Sequence, residues 1–187
     1  AWPHYVEVCL KTPHDDPRST VSPPTPETHP SIGDGAAAAL ALGSARNAMA
    51  GGDIIAAINT LKIFELGAHD PEVSFTLGVW TMSVGEPEQA LGHFRRAAQL
   101  APRVGEVFIN IAAAAVRLNR PNEAVEAAQQ AVVLAPDCDV AYGALGNALA
   151  AADRLEAAEA AFLEAHNHAP GTLAWMLNLG DCLLSKA

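Results

Sequence analysis

Residues 105–172 read GEVFINIAAAAVRLNRPNEAVEAAQQAVVLAPDC and then DVAYGALGNALAAADRLEAAEAAFLEAHNHAPGT, which is one 34-residue pattern occurring twice in succession. Seven positions carry the pattern: Phe108, Ile111, Ala112, Ala124, Ala128, Ala131 and Pro136 recur as Tyr142, Leu145, Gly146, Ala158, Phe162, Ala165 and Pro170. A fixed period of this length is typical of helical hairpins stacked into an array. The stretch therefore predicts an all-α fold built by repetition.

The composition bounds the class of protein. The chain has 187 residues, of which 50% are hydrophobic and 5% aromatic, which suits one domain or one short array. The formal net charge of −10 argues against nucleic-acid binding, because that function normally needs a basic surface. No apolar run reaches the roughly 18 uncharged residues of a membrane span. We therefore expect a soluble protein with no membrane span and no nucleic-acid partner.

Residues 1–35 differ from the rest of the chain. They contain seven of the 13 prolines, and proline at this density opposes a regular helix. We interpret them as a proline-rich N-terminal extension or linker. Near its start, Trp2, Tyr5 and Val6 belong to a short apolar segment. That segment is either a disordered leader or a segment that docks on this chain, a neighbouring copy or another domain.

From residue 36 onward the pattern predicts helices paired into hairpins. Turn residues separate the two helices of each pair at residues 51–53, 85–87, 119–121 and 153–154, and Pro102, Pro136 and Pro170 close the later pairs. The predicted repeats span residues 37–70, 71–104, 105–138 and 139–172, followed by a final helix at 173–187. The predicted repeat domain is residues 36–187, and its first helix is expected to start at Ala36.

The pattern resembles that of the tetratricopeptide repeat (TPR) family. In the fourth hairpin the family positions hold Tyr142, Leu145-Gly146, Ala158, Phe162, Ala165 and Pro170. The second hairpin supplies Leu77-Gly78, Gly85, Ala90, Phe94, Ala97 and Pro102, and the final helix supplies Leu179-Gly180. The resemblance covers about four-fifths of the chain. It implies a right-handed superhelical array of antiparallel helix hairpins, with about four repeats and a C-terminal helix.

Residues that could carry catalysis are scattered. The sequence has no Gly-rich phosphate loop and no Gly-x-Ser-x-Gly motif. His166 and His168 alternate on one helix and point about 200° apart, so they cannot share a metal. Cys9, Cys138 and Cys182 are far apart and odd in number, which predicts neither a disulfide framework nor a zinc site and favours a reducing compartment. We therefore expect a non-catalytic, cytoplasmic protein with no metal and no cofactor.

The resemblance also implies a binding surface, because TPR proteins bind extended peptides or helices in a concave groove lined by the first helix of each hairpin. Transfer of the family's groove positions gives Phe75, Val79, Met82, Glu106, Ile109, Asn110, Ala113, Val116, Arg117, Asn147, Asn178 and Asp181. We expect Asn110, Asn147 and Asn178 to form an amide ladder that can bind an extended backbone. The apolar residues among the groove positions form a patch: Phe75, Val79, Met82, Ile109 and Val116. The alternatives are that Asn is simply common at these positions and that the patch packs between helices.

The ligand class follows from the same positions. Relatives that grip the C-terminal carboxylates of chaperones use Lys and Arg beside Asn, whereas the equivalent positions here hold Ala41, Ala45 and Glu106. We therefore predict a protein-interaction module that binds an apolar, extended or helical segment of a partner protein.

Two other functions stay open: a regulatory or scaffold part of a larger, possibly enzymatic protein, and self-association with the N-terminal segment docked in a groove. The larger protein and the self-association are motivated by apolar residues on more than one face of the last helix: Trp175, Met176, Leu177, Leu179, Leu183 and Leu184. The docked N-terminal segment is motivated by the apolar residues near the start of the chain.

Overall fold

The computed structural model describes residues 32–65 and 70–185. Within these ranges the chain forms nine α-helices: α1 Ile32–Ala50, α2 Ile54–Glu65, α3 Pro71–Ser83, α4 Pro87–Leu100, α5 Gly105–Arg117, α6 Pro121–Leu134, α7 Asp139–Ala151, α8 Leu155–His168 and α9 Leu173–Ser185. The prediction for the apolar segment near the N-terminus falls on residues 1–31, which lie outside the described residues. Its two interpretations stay predictions.

The helix boundaries agree with the sequence pattern except at the start of α1. This helix begins at Ile32 rather than at Ala36. The last proline of the extension is Pro30, so no ring clash opposes a helix beyond that point. Gly33 and Gly35 lower helix propensity by about 1 kcal/mol each relative to Ala, but they do not forbid a helix. The composition shift at residue 36 was therefore a poor marker of the helix start.

A left-handed residue closes the first helix of every hairpin. Gly52 and Gly85 have φ of 87° and 84°, and the corresponding Asn119 and Asp153 have φ of 56° and 59°. Glycine adopts this conformation without strain, and Asn and Asp are the side chains that tolerate it best. The next residue then donates its backbone N–H to the helix, as Arg120 does to the Ala115 carbonyl oxygen at 2.9 Å. This closure stops the helix and reverses the chain, which confirms the predicted turns.

The hairpins stack into two rows of helices. The two helices of each hairpin pack against each other, and each hairpin then packs on the next through its neighbouring helix. Helix α5 also lies directly against α7, while α3 touches α5 and α7 touches α9. We call α3, α5, α7 and α9 the inner row and α2, α4, α6 and α8 the outer row. Direct packing within the inner row makes these four helices one continuous layer.

In the second and the fourth hairpin, the two helices pack through an aromatic ring that lies directly on a glycine. A Cβ added at Gly78 would lie 2.9 Å from Cζ of Phe94, and one added at Gly146 would lie 2.8 Å from Cζ of Phe162. Both rings are almost completely buried, at 0% and 2% exposure. Glycine is required at these two positions, because any side chain would overlap a ring in a closely packed interior.

Polar side chains connect the outer row. Arg120 donates from Nη2 to both carboxylate oxygens of Glu88, at 3.0 and 2.9 Å, and Arg95 forms an ion pair with Glu123. These side chains are largely exposed, so each pair contributes at most about 1 kcal/mol. Their role is to orient successive outer helices, while buried apolar contacts supply most of the stability.

The cysteines differ from the expectation at one position. Cys138 is disulfide-bonded, whereas Cys182 is a free, buried thiol that donates to the backbone oxygen of Leu155 at 3.3 Å. The expectation that the cysteines stay reduced was therefore wrong for Cys138. Spacing along the chain could not reveal this, because a disulfide depends on which sulfur atoms the fold brings together.

The seat of Phe94 on Gly78 gives a direct stability test. Gly78→Ala is expected to lower the free energy of unfolding by about 1–3 kcal/mol, because the ring must move out of a filled space. The matched control is Gly92→Ala in α4, where an added Cβ meets nothing within 4 Å. That change is expected to stabilise the protein by about 0.5–1 kcal/mol through helix propensity. Urea unfolding measures both values, and equal effects at the two glycines would contradict the proposed packing.

Candidate peptide-binding groove

All twelve predicted groove residues lie on inner-row helices. Helix α3 carries Phe75, Val79 and Met82; α5 carries Glu106, Ile109, Asn110, Ala113, Val116 and Arg117; α7 carries Asn147; α9 carries Asn178 and Asp181. Arg117, Asn147 and Asp181 are exposed, Val79 is 38% exposed, and the others are half-buried or nearly so. The surface available to a ligand is therefore more polar than the sequence pattern suggested.

Most of the apolar patch packs against the core. The ring of Phe75 lies 5.8 Å from that of Phe94, centroid to centroid, at an interplanar angle of 53°. Met82 and Val116 pack on the same central core cluster, and Ile109 packs on a smaller one that contains Ala141. Only part of each side chain is left at the surface. These four side chains are thus partly used in core packing, while Val79 is 38% exposed.

The three asparagines divide into a pair and a separate residue. Asn178 on α9 donates from Nδ2 to Oδ1 of Asn147 on α7, at 3.4 Å. Asn110 instead donates from its Nδ2 to the backbone oxygen of Glu106, one turn earlier in its own helix, at 2.9 Å. The amide pair spans two repeats, with Asn147 exposed and Asn178 half-buried, whereas Asn110 already uses one of its two N–H donors within α5.

Glu106 stands in an apolar setting at the start of α5. Its Oε1 atom is shielded from solvent and has no hydrogen-bond partner among the described residues. Burial disfavours the charged form, so the pKa of the Glu106 carboxyl is raised from its ordinary value of 4.5. This position therefore holds a partly buried carboxyl group where the pattern of carboxylate-gripping relatives has a cation.

Trp175 closes one end of the inner row, and the sequence pattern did not reveal this role. Its side chain is 7% exposed, and its indole Nε1 donates to Oδ2 of buried Asp139 at 2.9 Å. A Cβ added at Gly143 would lie 3.0 Å from Cε3 of Trp175, with two other ring atoms closer still. Trp175 therefore covers the Gly143 position of α7. The sequence feature that could have predicted this contact is a glycine in α7 together with a tryptophan in the following repeat.

The outer row contains a second polar cluster. His93 Nδ1 lies 3.0 Å from Oε2 of Glu65, and Arg96 donates from Nη2 to the Glu65 backbone oxygen at 2.9 Å. Beside it, an open cleft of about 480 Å³ is lined by Lys62, Glu65, Gln89, Gly92 and His93. Lys62 donates to Gln89 across this cleft at 2.9 Å. The cluster links the first and second hairpins, and its charged groups are used in that link.

The described residues show no arrangement suited to metal chemistry. No group of three or more His, Cys, Asp or Glu within residues 32–65 and 70–185 is placed to hold a metal ion. His168 stacks on Tyr142, with ring centroids 5.2 Å apart. In the same part of the chain, no helix combines the length and the apolar character needed to cross a bilayer.

Solved structures share this arrangement of helices. MamA from Desulfovibrio magneticus RS-1, from residue 41 to its end, is 22% identical with a TM-score of 0.72, over 80% of this chain and 85% of that one. YrrB, described as a TPR protein with an unusual peptide-binding site, is 20% identical with a TM-score of 0.65, over 78% and 76%. The first TPR domain of Spaghetti (RPAP3), bound to the HSP90 peptide SRMEEVD, is 21% identical with a TM-score of 0.59, over 62% and 91%.

Sequence comparisons add no closer relative: no protein-family model matches the chain, and no curated protein matches it significantly. At these identities the structural likeness establishes the fold alone. The described helices form a TPR solenoid, as the 34-residue period predicted.

Glu106 predicts a pH dependence of stability with a defined sign. Its raised pKa means that the folded state binds the proton more tightly than the unfolded state does. The contribution is fully favourable below the ordinary Glu pKa and is lost as the pH rises through the folded value. Glu106→Gln should therefore gain stability relative to the natural protein as the pH increases from about 4 to 7. Urea unfolding across this range measures the difference, with exposed Glu164→Gln controlling for the loss of one negative charge. A difference that is constant with pH would contradict the prediction.

Trp175 provides a separate test of the α7–α9 contact. Trp175→Phe removes the indole donor and leaves the buried carboxylate of Asp139 without that hydrogen bond. We expect a loss of about 1–3 kcal/mol in the free energy of unfolding. Trp80→Phe is the control, because among the described residues the indole nitrogen of half-buried Trp80 has no hydrogen bond. Equal losses for the two variants in urea unfolding would show that the bond to Asp139 adds nothing.

Proposed function

Given that the chain has the TPR fold, we propose that it is a non-catalytic protein-interaction module that binds an extended segment of a partner protein along its inner row. Three groups of observations support the proposal: the amide pair on α7 and α9, the carboxyl group of Glu106, and the partly exposed side chain of Val79. Each group supports a different prediction about the ligand.

The amide pair is the observation that carries the proposal. The bond between Asn178 and Asn147 uses one donor and one acceptor. Each Asn side chain has two N–H donors and an oxygen with two lone pairs, so the pair retains both donors and acceptors for a ligand. A backbone in extended conformation offers N–H and C=O groups that match such amides. Both residues lie on neighbouring inner-row helices, so one bound segment can reach them together.

Charge narrows the class of ligand. The domain of Spaghetti (RPAP3) that shares this fold is bound to SRMEEVD, a peptide with three acidic side chains. The positions of this chain that match the carboxylate-gripping cations of such relatives hold Ala41, Ala45 and Glu106. Together with the net charge of −10, this disfavours an acidic ligand. We infer a ligand with few acidic groups and with apolar side chains that contact Val79 and the surface-facing edges of Phe75 and Met82.

A displayed library of random peptides tests the proposal, because it offers the groove ligands of every composition. The full chain is immobilised, the enriched peptides are synthesised, and their dissociation constants are measured by fluorescence anisotropy. We expect enriched peptides that are apolar and poor in Asp and Glu. Asn147→Ala should weaken their binding by about tenfold, which corresponds to the loss of one good hydrogen bond.

Asn167→Ala is the matched control for that variant, since Asn167 is exposed on α8 in the outer row. It should leave the dissociation constants unchanged. Failure to enrich any peptide, or equal binding by both variants, would refute the groove as the binding site. Enrichment of strongly acidic peptides would refute the inferred ligand class while leaving an interaction module in place.

A further inference from the structure

Cys138 lies at the junction of α6 and α7, and its sulfur is part of a disulfide bond. The chain contains three cysteines, and Cys182 is a free thiol. Elimination leaves Cys9 as the one other sulfur of this chain that the bond can join. Cys9 belongs to residues 1–31, outside the described residues, so its assignment follows from the number of cysteines and from the bonded state of Cys138.

Helix capping does not explain a cysteine at position 138. This residue is the N-cap of α7, and its side chain makes no capping hydrogen bond. At the equivalent position two repeats earlier, Asp70 accepts the backbone N–H groups of Glu72 and Val73 at 2.8 and 3.2 Å. Asp, Asn, Ser and Thr are the usual N-cap residues because they make such bonds. The sulfur of Cys138 is thus not used by its own helix.

The equivalent positions of the other repeats are less buried than Cys138. Val104 holds this position in the second repeat and is 42% exposed, whereas Cys138 is 8% exposed. Asp70 and Thr172, at the ends of the first and fourth repeats, are half-buried. The repeat architecture therefore does not by itself bury this position, and the low exposure of Cys138 agrees with a bonded group on its sulfur.

Apolar side chains surround Cys138. With Ala131 and Ala141 it forms a small buried cluster, on which five partly buried side chains pack: Phe108, Ile109, Val132, Ala135 and Val140. We call these eight residues the Cys138 cluster. Its members come from α5, α6, α7 and the α6–α7 junction, and the five outer side chains keep part of their surface exposed. The disulfide therefore lies in an apolar surface formed by two neighbouring hairpins.

The residues next to Cys9 are suited to this surface. Five apolar or aromatic side chains lie within seven residues of it: Trp2, Tyr5, Val6, Val8 and Leu10. Removing such side chains from water is favourable. A bond at Cys9 would hold them beside the Cys138 cluster, so the covalent link and the apolar contacts would favour the same position of the segment.

The chain is long enough for the bond to form within one molecule. Residues 10–31 separate Cys9 from the start of α1 at Ile32, and an extended chain of this length spans about 70 Å. Successive helices pack about 10 Å apart, so the start of α7 is about 60 Å from that of α1 when counted helix by helix. This is an upper value, since inner-row helices also contact each other directly.

We propose that Cys9 and Cys138 form a disulfide within the chain, and that residues 2–10 dock on the Cys138 cluster. The bond joins the two Sγ atoms. The two thiols lose two protons and two electrons, which a small-molecule disulfide accepts as it is reduced to two thiols. Because Ile109 belongs both to the cluster and to the groove positions, the docked segment lies beside the groove, but its docking requires no groove ligand.

Peptide mapping of the full chain tests the bond, because trypsin places the three cysteines in three different peptides. Cleavage after Lys and Arg, except before Pro, gives residues 1–11, 118–154 and 155–186. The chain is equilibrated in an oxidising glutathione buffer, its free thiols are alkylated in urea with iodoacetamide, and it is digested without reductant. We expect mass spectrometry to find peptide 1–11 joined to peptide 118–154, and peptide 155–186 alkylated at Cys182.

Brief trypsin digestion of the folded chain tests the docking. A docked segment cannot enter the protease, so Cys9→Ser should speed cleavage after Lys11 by about tenfold or more. Cleavage after Arg18, farther from the bond, is the internal control and should keep its rate. Cys182→Ser is the matched control variant, since it also removes a thiol but leaves the Cys9–Cys138 bond intact, and it should leave both rates unchanged.

Trp2→Ala separates docking from the covalent link. This variant keeps both cysteines of the bond but loses the largest apolar side chain of the segment. We expect peptides 1–11 and 118–154 to stay joined, while cleavage after Lys11 becomes several-fold faster because the apolar contact is weakened. Val21→Ala, which also shortens an apolar side chain but lies outside residues 2–10, is the control and should not change that rate.

Each other outcome overturns the proposal. Alkylation of all three peptides shows that the bond does not form. A covalent dimer on a non-reducing gel shows that a second copy supplies the other sulfur. A bond whose loss leaves cleavage after Lys11 unchanged, or a Trp2→Ala rate equal to that of the natural chain, shows that the segment is linked but not docked. None of these measurements uses a groove ligand, so failure here and failure of the proposed groove are separate results.

Discussion

The structure depends on how closely the two helices of a hairpin can approach each other. In the second and fourth hairpins that distance is set by a phenylalanine ring lying directly on a glycine backbone, Phe94 on Gly78 and Phe162 on Gly146. The third hairpin has alanines at the two corresponding positions, 112 and 128, and both are buried. The space between the two helices of a hairpin is thus filled either by a glycine and a large ring or by two alanines. Since interiors are closely packed, the pair of residues is the unit that the fold constrains.

A large residue is also paired with a small one at the contacts between repeats. Ile109 on α5 packs on a cluster that contains Ala141 of α7, and one repeat later Trp175 of α9 lies on Gly143 of α7. Where α5 meets α7, the large residue belongs to the earlier helix. Where α7 meets α9, the large residue belongs to the later helix. Trp175 then gains a hydrogen bond to Asp139, which anchors α9 by a contact that no repeat consensus describes. These contacts keep the inner row continuous, and the amide pair of Asn147 and Asn178 depends on that continuity.

The period made the fold predictable, because a helical hairpin that recurs every 34 residues can bury its apolar face only by stacking. The turns were predictable too, since Gly85, Asn119 and Asp153 suit a left-handed residue. The contacts of the groove residues were harder to predict from the sequence. A family position tells which helix a residue occupies, but whether Phe75 faces a ligand or Phe94 depends on the neighbouring layer. The burial of Glu106 has the same origin, whereas the bond of Asn110 is made within its own helix.

An array of this kind presents two different types of surface, and the chain treats them differently. Along the inner row, each layer is covered by the next, and what is left exposed is mainly polar, as at Arg117 and Asn147. Selectivity there must come from hydrogen bonds and charge. Across the outer side of α9 the exposed residues are uncharged and apolar, with a glycine at their centre. The two surfaces therefore differ in polarity and in the contacts that they offer.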